Sequence, residues 1–151
     1  MKNLFDIAGK VAVVTGGSRG IGAMIARGFV ENGVKTYITA RKLDELKATA
    51  EELSALGQCI ALPSNLASLE GVNAFAAAIR ERESRLHILV NNAGASWGAP
   101  IDEFPESGWD KVMDLNVKSL FFLTSEMLPV LRAAGSAEDP ARVINIGSMN
   151  G

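Results

Sequence analysis

A glycine-rich turn directly after a short apolar run constrains the fold more than any other feature of this sequence. Residues 11–14 read Val-Ala-Val-Val, and residues 15–22 read Thr-Gly-Gly-Ser-Arg-Gly-Ile-Gly. Gly16, Gly20 and Gly22 permit positive backbone dihedral angles, and they let a diphosphate approach bare backbone at the positive end of a helix. The pattern therefore predicts a strand, a tight turn and a helix start that together bind an anionic group.

The rest of the chain alternates between β-branched apolar runs and amphipathic segments. The predicted strands are residues 11–14, 35–40, 59–62, 87–90 and 142–147. The predicted helices include 43–56, one with its core face at 72–79, and one that starts with Ser107 as its N-cap. The charged run 80–83 is interpreted as a solvated helix end. Alternation of this kind indicates an α/β fold with a doubly wound parallel sheet.

Composition excludes several classes of function. The chain has 151 residues, 48% of them hydrophobic, and a formal net charge of -2, so we expect one domain with no basic surface for nucleic acid or an anionic membrane. Its single cysteine, Cys59, lies in a predicted strand and is interpreted as a buried thiol of a cytosolic protein. With one histidine, His87, no metal site is predicted.

Three further motifs identify a family. Asn91-Asn92-Ala93-Gly94 follows the fourth predicted strand, Asn116 lies in the following helix, and Ile146-Gly147-Ser148 ends the fifth strand. With the glycine turn, and in this order, they make the chain resemble the short-chain dehydrogenase/reductase family, and within it the 3-oxoacyl-[acyl-carrier-protein] reductases. The resemblance implies a Rossmann-type sheet and hydride transfer from NADPH to a ketone, such as the 3-oxo group of a 3-oxoacyl thioester.

The predicted cofactor is NADP(H) rather than NAD(H). An NAD site usually carries Asp or Glu about 20 residues beyond the glycine turn, where the carboxylate accepts from the ribose hydroxyls. Here that position reads Ala40-Arg41. Arg41, together with Arg19 in the turn, can donate charge-assisted hydrogen bonds to the 2′-phosphate. The alternative for Arg41 is a solvated strand-end arginine.

The resemblance also assigns individual residues. The implied cofactor contacts are Gly16, Ser18, Arg19, Gly20, Ile21, Gly22, Arg41, Asn65, Leu66, Asn92, Ala93 and Gly94. The implied catalytic residues are Asn116, whose backbone holds a water in a proton relay, and Ser148, which hydrogen-bonds the substrate carbonyl. Asn91 is interpreted as structural, and Thr15 as either a local hydrogen-bonding residue or a cofactor contact.

The family's proton donor is a tyrosine with a lysine four residues later, and this pair is missing from the chain. The only tyrosine is Tyr37, in the second predicted strand, with no lysine at that spacing. We therefore expect residues 1–151 to be the incomplete, N-terminal part of a single-domain NADP-binding reductase, inactive alone and homotetrameric when whole. A dehydrogenase of sugars, polyols or other small alcohols, and a catalytically silent NADP-binding protein, remain alternatives.

Overall fold

A five-stranded parallel sheet forms the centre of the structure, a computed structural model that describes residues 5–148. The strand order is β3-β2-β1-β4-β5. The strands are β1 Val11–Thr15, β2 Lys35–Thr39, β3 Cys59–Ala61, β4 Ile88–Asn91 and β5 Arg142–Asn145. The helices are α1 Gly20–Glu31, α2 Leu43–Ser54, α3 Leu69–Arg82, α4 Glu106–Met113 and α5 Ser119–Ala134. The prediction of a doubly wound α/β sheet is confirmed.

Two apolar layers cover the sheet because successive strand residues point to opposite faces. In β1, Val13 packs with side chains of α3 and α5, such as Phe75 and Met127. Its neighbours Ala12 and Val14 pack on the other face, with side chains of α1 and α2. The central strands are therefore buried on both faces, which is why they read as continuous apolar runs rather than alternating ones.

The strand order reverses at β1. The chain runs from β1 to β2 and β3 on one side, and then returns to place β4 on the other side of β1, so that Val14 is in register with both Ile38 and Val90. In open parallel sheets a crevice forms at the carboxyl ends of the strands at such a reversal. This topology brings the turn after β1 close to the segment after β4.

The outer strand β5 is exposed along its whole length. It pairs with β4, and Val143 and Ile144 are 41% and 40% exposed. Within residues 5–148 no strand pairs with its other edge. β5 is therefore an exposed edge of the described sheet.

One local prediction was wrong, and another holds only in part. Ser107 does not cap its helix, because α4 begins one residue earlier, at Glu106, and the carbonyl of Pro105 accepts hydrogen bonds from the amides of the first turn. The charged run 80–83 is not simply a solvated helix end. Glu83 accepts a hydrogen bond from the Tyr37 hydroxyl at 2.6 Å, because α3 ends against β2.

In the part of the chain that the structure describes, no helix combines the length and the apolar character needed to cross a bilayer.

Candidate functional site

A cleft of about 340 Å³ opens at the carboxyl ends of β1, β2 and β4, at the reversal of strand order. It is lined by Gly16, Ser18, Arg19, Gly20, Thr39, Ala40, Arg41, Lys42, Glu45, Ser64, Leu66, Ala67, Asn92, Ala93, Gly94 and Leu115. Nine of the twelve predicted cofactor contacts belong to this wall. The cleft therefore brings most of the predicted cofactor contacts together.

The glycine turn forms the floor of the cleft, and its glycines are required for different reasons. Gly16 and Gly20 have φ values of 65° and 56°, a backbone conformation that side chains disfavour. Gly22 is buried, and a Cβ there would lie 2.1 Å from the Gly16 carbonyl oxygen. Gly22 therefore allows α1 to start close against the turn.

Three predicted cofactor contacts lie outside the wall of the cleft. Gly22 is covered by the turn, and Ile21 is 56% exposed on α1. The Asn65 side chain accepts a hydrogen bond from the amide of Ala67 at 3.2 Å and so stabilises the turn after β3. Its neighbour Leu66 is buried and does line the cleft.

The end of β2 and the glycine turn place three cations on the cleft wall. They are Arg19, Arg41 and Lys42. Lys42 Nζ donates to Glu45 Oε1 at 2.9 Å, and this hydrogen bond, together with the charge of Arg19, holds the pKa of Glu45 below its usual range. Neither guanidinium forms an ion pair within residues 5–148. The wall therefore offers two unpaired arginines to an anion.

A buried threonine ties the segment after β4 to the glycine turn. Thr15 Oγ1 accepts hydrogen bonds from the amides of Asn92 and Ala93, each at 2.9 Å, and donates to the Val90 carbonyl at 3.3 Å. Asn92 Nδ2 in turn donates to the carbonyls of Thr15 and Gly16 at 3.1 and 3.2 Å. These bonds use the donor and both lone pairs of the hydroxyl. Thr15 is thus a local hydrogen-bonding residue.

Asn91 ties neighbouring elements together, as the sequence predicts. Its Nδ2 donates to Asn145 Oδ1 on β5 at 2.9 Å and to Thr124 Oγ1 on α5 at 3.2 Å. Its Oδ1 is buried and has no hydrogen-bond partner among residues 5–148. The residue anchors β4 between β5 and α5.

Asn116 lies in a single π-helical turn, Asp114–Lys118, that joins α4 to α5. Its Oδ1 accepts from the Ala95 amide at 2.8 Å, and its Nδ2 donates to the Ala95 carbonyl at 2.9 Å. Turns of this type interrupt the regular helical hydrogen-bond ladder and are frequent at functional sites. The Asn116 side chain therefore fixes the loop that continues the cleft wall beyond Gly94.

Ser148 follows β5 at the carboxyl end of the sheet, the same end as the cleft, and is exposed. It is not part of the cleft wall. Within residues 5–148 no cluster of three or more histidine, cysteine, aspartate or glutamate side chains could hold a metal ion.

Sequence reasoning missed seven residues of the cleft wall. They are Thr39, Ala40, Lys42, Glu45, Ser64, Ala67 and Leu115. Most follow or end β2 and β3, so their position at the carboxyl ends of parallel strands was the available signal. Glu45 and Leu115 had no such signal, because their proximity depends on how α2 and the π-helical turn pack.

Comparison with known sequences identifies close relatives. The model of the family described as short chain dehydrogenase matches residues 10–151. The rhamnolipids biosynthesis 3-oxoacyl-[acyl-carrier-protein] reductase of Pseudomonas aeruginosa is 53% identical over 151 residues, which are 100% of this chain and 59% of that protein. The 2-dehydro-3-deoxy-D-gluconate 5-dehydrogenase of Escherichia coli is 36% identical over 146 residues, covering 96% of this chain and 56% of the relative.

Solved structures agree with the sequence relatives. A Pseudomonas aeruginosa RhlG/NADP active-site complex is similar with a TM-score of 0.93 at 53% identity, over 98% of this chain and 58% of that one. L-sorbose reductase from Gluconobacter frateurii, complexed with NADPH and L-sorbose, is similar with a TM-score of 0.85 at 32% identity, over 95% of this chain and 54% of that one.

These matches cover nearly all of this chain but only part of each relative. The chain spans 59% of the length of the Pseudomonas aeruginosa reductase, whereas the family model covers nearly all of this chain, from residue 10 to residue 151. The family model, the ordered motifs and the sheet topology agree: the chain belongs to the short-chain dehydrogenase/reductase family.

Proposed function

We propose that this chain forms the cofactor-binding part of an NADP(H)-dependent oxidoreductase that reduces a ketone to the hydroxy compound. The observation that carries the proposal is the charge at the end of β2, where the cleft wall has Arg41 and Lys42 in place of an acidic residue. A carboxylate there would repel the 2′-phosphate of NADP(H), whereas arginine donates to it in a planar fork. Relatives whose structures contain NADP or NADPH support the same choice.

The rest of the cleft fits the phosphates and the adenosine. The 12-residue helix α1 points its amino end at the glycine turn, and its first turn contains no acidic side chain to compete with a diphosphate. A Cβ on Gly16 would lie 3.0 Å from Ala93, so only glycine leaves this floor open. Leu66, Ala67 and Ala93 supply apolar surface beside the polar wall.

The cofactor supplies the hydride, and the chain's own residues position the reactants. We propose that Asn92, Ala93 and Gly94 run beside the cofactor ribose, and that Ser148 hydrogen-bonds the substrate carbonyl. The Asn116 side chain is hydrogen-bonded to the main chain of Ala95, so we assign the proton relay to the main chain of Asn116.

The alkoxide formed by hydride transfer must be protonated. Tyr37 is not part of the cleft wall, and its hydroxyl donates a hydrogen bond to Glu83. We therefore propose that the proton donor, a tyrosine assisted by a lysine, lies outside these 151 residues, and that residues 1–151 are the NADP-binding part of a single-domain enzyme. This chain spans only 59% and 56% of the lengths of the two sequence relatives described above, which supports this view.

A 3-oxoacyl thioester is the proposed substrate, and a sugar or small polyol is the second candidate. The 53% identical relative is named as a 3-oxoacyl-[acyl-carrier-protein] reductase. The relative at 36% identity is named as a dehydrogenase of 2-dehydro-3-deoxy-D-gluconate, and the structure at 32% identity is a complex with L-sorbose.

Oxidation of NADPH by the intact protein, with 3-oxoacyl thioesters of several lengths and with L-sorbose as alternatives, tests the proposal. We expect turnover with a thioester, and its loss in Ser148→Ala with NADPH binding retained. NADP(H) binding without turnover of any carbonyl compound would instead indicate a silent NADP-binding protein.

We also propose that the protein is a homotetramer. Phe121 on α5 is 66% exposed and lies edge-on to Phe122, which is 40% exposed, with ring centroids 5.3 Å apart. Exposed aromatic surface of this kind is typical of protein contacts. Light scattering of the intact protein should give four times the chain mass, and a monomer would contradict this proposal.

A further inference from the structure

One carboxylate lies among the cations of the cleft wall. Glu45, in the first turn of α2, lines the same cleft as Arg19, Arg41 and Lys42. Lys42 Nζ donates to Glu45 Oε1 at 2.9 Å, whereas neither arginine forms an ion pair in the part of the chain that the structure describes. One of the three cations is therefore already partnered inside the cleft.

We propose that Glu45 sets the strength of NADP(H) binding by competing with the 2′-phosphate of the cofactor for Lys42. The inference rests on the proposed function, because it assumes that this phosphate binds at the end of β2. A phosphate monoester carries nearly two negative charges at neutral pH, so it attracts Lys42 and repels Glu45. NAD(H) lacks this phosphate and does not compete with Glu45 for Lys42.

The geometry allows the exchange. The Lys42 side chain is 72% exposed, and its four-carbon stem can turn the ammonium group from the carboxylate to a ligand. Glu45 is 42% exposed, so water can solvate the carboxylate once the lysine leaves. Glu45 and Arg19 line the same cleft, so the carboxylate shares its wall with the proposed phosphate site.

A purely structural role for Glu45 makes a different prediction. An acidic residue in the first turn stabilises a helix by interacting with its dipole. Asp44, one position before Glu45, is also such a residue. Asp44 does not line the cleft. Replacing Asp44 therefore removes the same charge from the same turn without changing the wall, which makes it the matched control.

Calorimetric titration of the intact protein with NADP⁺ and with NAD⁺ tests the inference. We expect Glu45→Gln to bind NADP⁺ about two- to fivefold more tightly than the unsubstituted protein, the range for an exposed ion pair. Affinity for NAD⁺ should stay unchanged, and Asp44→Asn should leave both affinities unchanged. The gain should shrink at high salt because the charges are exposed.

Several outcomes would overturn the inference. They are an NADP⁺ affinity that is unchanged or weaker in Glu45→Gln, an equal gain in Asp44→Asn, and an undiminished gain in the Lys42→Gln background, where there is no lysine to release. Glu45→Ala should shift NADP⁺ affinity in the same direction, which guards against an effect of the glutamine. If the unsubstituted protein fails to prefer NADP⁺ over NAD⁺, the proposed function fails first, and no variant is needed to see it.

Discussion

The Thr15 hydroxyl is one of the links between the glycine turn and the segment after β4, so the replacement of Thr15 by valine tests how the site is built. The residue is 2% exposed, and its Oγ1 accepts from the amides of Asn92 and Ala93 at 2.9 Å each. Valine has nearly the same shape and the same preference for strands, and it removes the hydroxyl alone. Thr15→Val therefore leaves two amides without their acceptor.

The expected loss of stability follows from those two amides. A buried donor left without a partner costs about 1–3 kcal/mol. Asn92 and Ala93 are half-buried, so the lower part of that range applies, and we expect Thr15→Val to lower the free energy of unfolding by about 2–4 kcal/mol. Thr15→Ser keeps the hydroxyl and loses one buried methyl group, which is worth about 1 kcal/mol.

Urea unfolding followed by circular dichroism measures both variants on the intact protein. Hydrogen exchange adds a local readout, since the amides of Asn92 and Ala93 should exchange faster in Thr15→Val than in Thr15→Ser. If Thr15→Val were as stable as Thr15→Ser, or if these two amides kept their protection, the hydroxyl would not be what holds the segment.

Two further predictions concern a glycine and the histidine. A Cβ at Gly22 would lie 2.1 Å from the Gly16 carbonyl oxygen, so Gly22→Ala should destabilise the protein by about 3 kcal/mol in thermal unfolding. On the same helix Gly28→Ala, with nothing within 4 Å, should stabilise it by about 0.5–1 kcal/mol, and similar effects of the two would contradict the geometry. His87 Nδ1 accepts from the Val11 amide at 3.0 Å, and burial, together with a neighbouring lysine, lowers the pKa of His87. The stability that neutral His87 contributes is present above its unfolded pKa of about 6.5 and is lost as pH falls through the lower folded pKa. Between about pH 7.5 and pH 5, the free energy of unfolding measured in urea should therefore fall less for His87→Asn than for the unsubstituted protein. An unchanged pH dependence would contradict this assignment.

The start of the fold was predictable because two independent signals coincide there. The apolar run predicts a strand, and the glycines after it predict a turn that Gly16 and Gly20 adopt with positive φ. The start of α4 was not predictable in detail. Ser107 is a favoured cap type, yet the backbone carbonyl of Pro105 performs that role, and local propensity cannot tell one from the other.

Tertiary contacts account for the rest of what the sequence left undetermined. Glu83 is one charge in a polar run, and only the packing of α3 against β2 brings it to the Tyr37 hydroxyl. Asn65 Oδ1 accepts from the amide of Ala67 two residues on, a turn contact that the cofactor prediction for Asn65 did not include. Glu45 reaches the cleft because α2 begins directly beside the glycine turn, a proximity that no sequence period encodes.

Selection of NADP(H) by the arginines of the cleft wall is tested most directly by the ratio of the dissociation constants of NAD⁺ and NADP⁺ for the intact protein. Charge-assisted hydrogen bonds are worth about 1.5–3 kcal/mol each, so the unpaired Arg19 and Arg41 should make NADP⁺ at least about tenfold tighter. In Arg41→Gln the ratio should fall about tenfold, with the free energy of unfolding unchanged, because the side chain is exposed. Equal affinities for the two cofactors, or tighter binding of NAD⁺, would show that the cleft does not select the 2′-phosphate.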